Sequence, residues 1–197
     1  MTEWYLPVAR AAPALALAAV VTFTADHSAG LGLLLFGFFA LAAGAVITIF
    51  AVRSPRRAVT RSIQIAQGFI TTAAGVVALS IPGAGLPFLV FLVTAFAALT
   101  GFLELYVGLR ERGKDASARD WAFVGGLTAL LAVIVLLVPP GFSQPVVADE
   151  VVVGQLTASV IVVGVLGAYW AILGVYLVIA GLSLKWSDAP ASVASEA

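Results

Sequence analysis

The 197-residue chain contains no cysteine, a single histidine and few charged residues. The lack of cysteine excludes a disulfide framework, a thiol nucleophile and a Cys-ligated metal, and one histidine excludes most multi-histidine metal sites. Charged residues make up 10% of the chain and hydrophobic residues 62%, whereas soluble domains average about 25% charged residues. Because such a chain has too few polar groups to cover a water-exposed surface, we predict an integral membrane protein.

The chain also lacks an excess of charge of either sign and any motif of enzyme catalysis. Its 10 Lys and Arg residues balance 10 Asp and Glu residues, so no basic surface for nucleic acid is expected. No Ser-His-Asp set, phosphate loop, dinucleotide fingerprint or HExxH element is present. We therefore expect no enzyme activity, no cofactor and no metal. The expected partners are the lipid bilayer and either further copies of the chain or other membrane subunits.

Six apolar stretches approach the length of about 20 residues that a membrane-spanning helix requires. The predicted fold is an all-α integral membrane protein, with one six-helix domain over residues 1–186 and a disordered cytoplasmic tail over 187–197. The last stretch is the longest and should tilt or project beyond the bilayer. The predicted spans are Arg10–Ala25, Gly30–Val52, Ser62–Ile81, Leu86–Leu109, Trp121–Val138 and Gln155–Leu184.

The basic residues predict the orientation of the chain in the membrane. Loops at Asp26–Ala29, Pro82–Gly85 and Pro139–Gly154 contain no Lys or Arg. Because basic loops stay on the cytoplasmic side, both termini should lie inside. We therefore predict a multi-pass protein of the bacterial cytoplasmic (inner) membrane. All ten basic residues lie at the ends of the chain or in the other two loops: Arg10, Arg53, Arg56, Arg57, Arg61, Arg110, Arg112, Lys114, Arg119 and Lys185.

Internal similarity predicts three helical hairpins, at about residues 10–52, 61–110 and 119–185. At an offset of 58 residues, Pro82 and Gly83 correspond to Pro140 and Gly141. Small residues also recur seven apart in the even-numbered spans, so both members of each pair lie on one helix face. In membranes such residues let helix backbones approach closely, and we predict packing seams; a pore lining is the alternative. The pairs are Gly44 with Ala51, Gly101 with Gly108, and Gly174 with Gly181.

The middle of the chain resembles a known family. Arg61 followed by Gly68, then Gly75, Pro82 and the segment from Gly101 to Arg110 resemble the HdeD-like family of small bacterial membrane proteins. The resemblance implies short paired-helix repeats and a role in acid resistance or envelope stress, or as an accessory subunit of a membrane complex. The alternative, from another functional class, is a small proton, ion or solute transporter or channel.

Glu104 is the acidic residue that lies well inside a predicted span, which makes it the leading site candidate. We predict a cluster of Glu104 with Arg61, Gln64 and Gln67 near the cytoplasmic boundary. Two interpretations stay open: a hydrogen-bonded clamp between helices, or a proton or ligand site. His27, in the first outer loop, is a second candidate because histidine is the side chain that most readily responds to acid in the physiological range.

Overall fold

The computed structural model describes residues 4–54, 56–148 and 151–187. Within these residues six helices are long and apolar enough to cross a membrane, so the chain is a multi-pass membrane protein. The predicted tail over 187–197 lies outside the described residues, apart from Ser187 at the end of the last helix. The helices are α1 (Tyr5–Phe23), α2 (Ala29–Arg53), α3 (Ala58–Ser80), α4 (Leu86–Arg110), α5 (Ala118–Leu136) and α6 (Ala158–Ser187).

Local sequence signals set several helix boundaries. The Ser28 hydroxyl accepts a hydrogen bond from the backbone N–H of Leu31, which caps α2. Gly85 precedes α4 with a φ of 82°, a conformation that glycine adopts without strain. Pro87 follows in the first turn of α4, where its missing N–H would have had no helical partner.

Helix α1 begins earlier than the sequence predicted. Its first residue is Tyr5 rather than Arg10, so Arg10 lies in the second turn of the helix. Pro13 accordingly lies in the helix interior instead of near its start. Because of this earlier start, Arg10 lies within the helix and faces the bundle instead of ending the helix.

The segment before α6, which was predicted from the sequence to be a loop, contains a β-hairpin. Strand β1 (Ser143–Ala148) pairs antiparallel with β2 (Val151–Thr157), with Ser143 opposite Thr157. Helix α6 consequently starts at Ala158 instead of Gln155. Two runs of β-branched valines flank residues 149–150, and this pattern is typical of a hairpin.

The closest helix pairs are α2 with α3, α4 with α5, and α1 with α6. Glycines lie at all three interfaces, where an added Cβ would overlap the neighbouring helix. At Gly101 it would lie 2.6 Å from the backbone nitrogen of Ala129, and at Gly174 it would lie 2.6 Å from Cγ of Leu15. The other glycines predicted as packing residues lie at the same interfaces: Gly44 against Thr72 and Gly68, Gly108 against Ala122, and Gly181 against Val8 and Trp4.

These pairs differ from the predicted hairpins, which join α1 to α2, α3 to α4 and α5 to α6. Helices of one predicted hairpin do contact each other, but less extensively than the close pairs. The small residues explain the difference, because the seam of Gly101 and Gly108 faces the next helix along the chain rather than the preceding one.

One end of the bundle carries the two basic loops, at residues 54–57 and 111–117, and we call it the basic end. Arg56 connects the loops: its Nε donates to Oδ2 of Asp115 at 3.2 Å, and its guanidinium lies 4.6 Å from the ring centre of Trp121. Nearby, Thr60 Oγ1 donates to Oε1 of Glu111 at 2.7 Å. These contacts join the close pair α2–α3 to the close pair α4–α5.

Candidate functional site

A polar cluster centred on Glu104 of α4 lies in the interior of the bundle. Glu104 is 4% exposed and lies six residues before Arg110, the last residue of α4, or about 9 Å along the helix axis. Arg10 of α1 donates from Nη1 to Oε1 at 2.6 Å and from Nη2 to Oε2 at 3.0 Å. Gln67 of α3 donates from Nε2 to Oε2 at 2.8 Å. The carboxylate thus receives three hydrogen bonds, two of them from a cation.

The paired geometry explains how two charges are accommodated at this depth. The planar guanidinium of Arg10 matches both oxygens of the Glu104 carboxylate, the strongest arrangement for such a pair. Their side chains are 12% and 5% exposed, so each charge has lost most of its water. Desolvation costs several kcal/mol per ion, and the mutual attraction together with the Gln67 amide offsets that cost. The pair connects α1 to α4, and Gln67 adds α3.

Beside the ion pair lies a cavity of about 20 Å³ to which all six helices contribute. That volume holds about one water molecule. Thr128 of α5 and Tyr169 of α6 line it and share a hydrogen bond of 2.9 Å between their hydroxyls. Thr71 and Thr100 also line it, and each hydroxyl donates to a carbonyl of its own helix four residues earlier. The lining of the cavity is therefore partly polar, and Phe39 and other apolar side chains form the rest.

Arg10 separates this cavity from a second one of about 20 Å³ toward the basic end. The second cavity is lined by Arg56, Asp120 and Trp121, among others, and also by Arg10. Asp120 accepts a hydrogen bond of 2.8 Å from the Tyr176 hydroxyl. A single side chain thus lies between two spaces that each hold about one water molecule.

The predicted cluster is partly wrong in its membership. Gln67 and Glu104 are in contact, but Arg61 is exposed, and the cation at Glu104 is Arg10. At about 100° per residue, Arg61 lies roughly 120° around α3 from Gln67, and about 9 Å nearer the basic end. Gln64 is buried, and its Oε1 has no hydrogen-bond partner within the described part of the chain.

His27 lies far from this cluster, in the turn between α1 and α2 at the opposite end of the bundle. Its Nδ1 is 3.4 Å from the carbonyl oxygen of Ala25 in an exposed setting. The neighbouring Asp26 accepts hydrogen bonds from the backbone N–H and the hydroxyl of Ser28. The structure thus places His27 in a capped turn, apart from the polar core.

Arg10 and Tyr169 line the site but were not predicted from the sequence to belong to it. Arg10 was interpreted as the boundary of the first span, although Tyr5 to Ala9 before it is also largely apolar, a signal that the helix begins earlier. Tyr169 was indistinguishable from the interfacial aromatic residues of the other spans. Its burial, with 6% exposure, depends on which face of α6 packs inward.

The fold and the site define a multi-pass α-helical membrane protein with a buried ion pair at its centre. Residues 66–138 match a protein family described as a short repeat of unknown function, DUF308. The match includes Gln67, Glu104 and Thr128 but neither Arg10 nor Tyr169. Comparison with curated proteins and with solved structures gave no match.

Proposed function

We propose that the chain is a non-enzymatic, multi-pass protein of the bacterial inner membrane that supports envelope tolerance to acid stress, alone or as an accessory subunit of a membrane complex. The DUF308 match over residues 66–138 supports this proposal, because the HdeD-like family that the middle of the chain resembles is associated with acid resistance. The observation that carries the non-enzymatic part is the size of the central polar cavity. About 20 Å³ holds about one water molecule, so the polar groups around Glu104 have no room beside them for a larger substrate.

The proposal includes an orientation with both termini in the cytoplasm. The loops at residues 54–57 and 111–117 carry Arg and Lys, and such loops resist transfer across the membrane. In this orientation the pair of Arg10 and Glu104 lies on the cytoplasmic half of the bundle. External acid then meets the turn at His27 and the β-hairpin, and the buried carboxylate is shielded from it.

The proposal also includes three hairpin repeats. Leu15, Thr72 and Ala129 are spaced 57 residues apart, and each lies against a glycine of the partner helix in its close pair. This equivalence supports a repeat length of 57 residues within the helices. The repeat length that relates Pro82 to Pro140 is one residue longer, at 58. On this register Arg10 corresponds to Gln67, and both of these residues donate to Glu104.

Survival of a bacterial strain that lacks this chain tests the proposed role. We expect the deletion to lower survival in strongly acidic medium and the wild-type gene to restore it. A variant with Glu104→Leu should restore it poorly because the bundle is destabilised. Purification in mild detergent, with identification of co-purifying chains, tests the accessory form. Equal survival with and without the gene, for a protein that purifies alone, would contradict both forms.

A second candidate function is proton transfer through Glu104, favoured by the position of Arg10 between two water-sized cavities. A rotation of that side chain would join the cavities and expose the carboxylate toward the basic end. Proton flux into proteoliposomes tests this function with Glu104→Gln. The matched control is Glu111→Gln, since Glu111 is also buried but bonds Thr60 outside the central cavity. Flux lost only in Glu104→Gln supports transfer, and equal flux in all three proteins excludes Glu104.

A further inference from the structure

A groove between α5 and α6 has one polar and one apolar section. Near the basic end lies a surface recess of about 570 Å³ whose lining includes Arg119, Asp120 and Ser183. Deeper in the membrane lies a crevice of about 180 Å³ whose lining is apolar apart from the Tyr169 ring, with Leu130 and Ala168 among its residues. Helices α5 and α6 contact each other much less extensively than the close pairs do, which leaves the groove open.

The two sections follow one another along the same helix pair. Tyr176 lines the recess, and its ring stacks on that of Phe123 with centres 4.0 Å apart. Along α5, Phe123 comes between the residues that line the recess and those that line the crevice. From Arg119 beside the recess to Ile134 in the crevice, α5 rises about 22 Å. One leaflet of a bilayer, headgroups included, is about 20–22 Å thick. The groove therefore matches the length of a single phospholipid.

The charge at the polar section favours an anionic headgroup. Arg119 borders the recess and also a neighbouring one of about 470 Å³ that Arg112 lines. Asp115 is paired with Arg56 at 3.2 Å, so Arg112 and Arg119 outnumber Asp120 among the remaining charged residues that line the two recesses. Asp120 itself accepts from the Tyr176 hydroxyl at 2.8 Å. Basic pockets between helices at the membrane surface bind phosphate-bearing lipid headgroups.

The crevice favours an acyl chain over water or a polar ligand. Leu130 and Ile172 in its lining are each 51% exposed, and Ala168 is exposed beside them. Water in such an apolar space would lack the two to four polar partners it requires. An acyl chain fills it with dispersion contacts instead.

We propose that the groove between α5 and α6 binds one anionic phospholipid, with the phosphate at Arg119 and one acyl chain in the crevice. This site does not rest on the proposed acid-tolerance function, although its crevice shares Tyr169 with the cavity beside Glu104. The phosphate replaces water at the guanidinium, and the chain passes over the exposed ring of Phe123. The bound lipid fills the open space between the two helices, which lack a glycine seam against each other.

Native mass spectrometry of the detergent-purified protein tests the site, with phosphatidylglycerol compared with phosphatidylcholine of the same acyl chains. We expect wild type to retain phosphatidylglycerol preferentially. Arg119→Gln should lose most of that preference, and Ala168→Phe should lose retention of both lipids. The matched control is Arg57→Gln, because Arg57 is an exposed arginine at the basic end that does not line the groove. Thermal melting without added lipid checks that each variant is folded.

Three results would overturn the proposal. Wild type that retains both lipids equally has no headgroup site. Equal loss of preference in Arg119→Gln and Arg57→Gln indicates general attraction to a basic surface. A dimer in wild type that Ala168→Phe dissociates, with lipid retention unchanged, identifies a second copy of the chain as the occupant of the groove.

Discussion

At the scale of single residues, the buried pair of Arg10 and Glu104 decides what the interior of the bundle can do. A carboxylate without a partner at this depth would be neutral or strongly unfavourable. Arg10, through its bidentate contact, and the Gln67 amide supply such partners. Buried ion pairs are weak evidence for net stability, but removal of one member is costly because the other is left uncompensated.

This asymmetry predicts the behaviour of variants at the pair. We expect Glu104→Leu to lower the free energy of unfolding by about 3–5 kcal/mol because it leaves Arg10 buried and unpaired. Glu104→Gln should cost about 1–2 kcal/mol less, since its amide oxygen still accepts hydrogen bonds. The double variant Arg10→Met with Glu104→Leu should recover most of the loss. Unfolding of all four proteins in one detergent measures these differences.

The same measurements can contradict the clamp. If Glu104→Leu unfolds at the same temperature as wild type or above it, the pair does not hold the helices together. If the double variant is as unstable as Glu104→Leu, the cost comes from lost volume rather than from an unpaired charge.

At the scale of helices, glycine position decides which neighbours pack closely. Gly125 and Gly126 are adjacent in α5, yet their surroundings differ completely. A Cβ at Gly125 would overlap the backbone of Leu105 and Gly101, whereas one at Gly126 would meet nothing within 4 Å. The close approach of α4 to α5 therefore depends on Gly125 and Gly101.

These neighbouring glycines provide a matched test. We expect Gly125→Ala to destabilise the protein by about 1–3 kcal/mol, because the added methyl group forces the two helices apart. Gly126→Ala should be neutral or stabilising by up to about 1 kcal/mol, because alanine is the better helix former. Thermal unfolding in detergent compares them, and equal melting temperatures would remove Gly125 from the proposed seam.

At the scale of the whole molecule, the three close pairs enclose a single polar centre. Three residues after the seam glycines Gly44, Gly101 and Gly174 come Ile47, Glu104 and Leu177. All three are buried, but Glu104 is the acidic one. The interior is thus asymmetric: one site of three equivalent positions carries the charge, and the other two carry aliphatic side chains.

The proposed orientation is testable on the intact protein because the chain has no cysteine. We expect Lys114→Cys to react with a membrane-impermeant thiol reagent only after the cells are opened. Gly83→Cys should react in intact cells because it lies in the exposed turn at the opposite end. Reaction of Lys114→Cys from outside would reverse the orientation and place the basic end on the outer face.

Sequence alone determined the membrane class, the six spans and the position of Glu104 inside a span. The free-energy cost of placing a side chain in lipid depends on the residue itself. Long apolar runs and a rare charge within them can therefore be recognised from the sequence. Gln67 was also predictable, because its spacing from the start of α3 gives a depth similar to that of Glu104. The β-hairpin had a visible signal in its valine runs, but the loop interpretation overrode it.

Only the tertiary structure decided the partner of Glu104 and the pairing of the helices. Helix α1 begins at Tyr5 and packs against α6. This packing directs the second turn of α1 toward α4, and Arg10 therefore reaches Glu104. Spacing along one helix gives the depth and the face of a residue. It does not give which helix lies opposite, since that choice depends on how small residues of all six helices fit together at once.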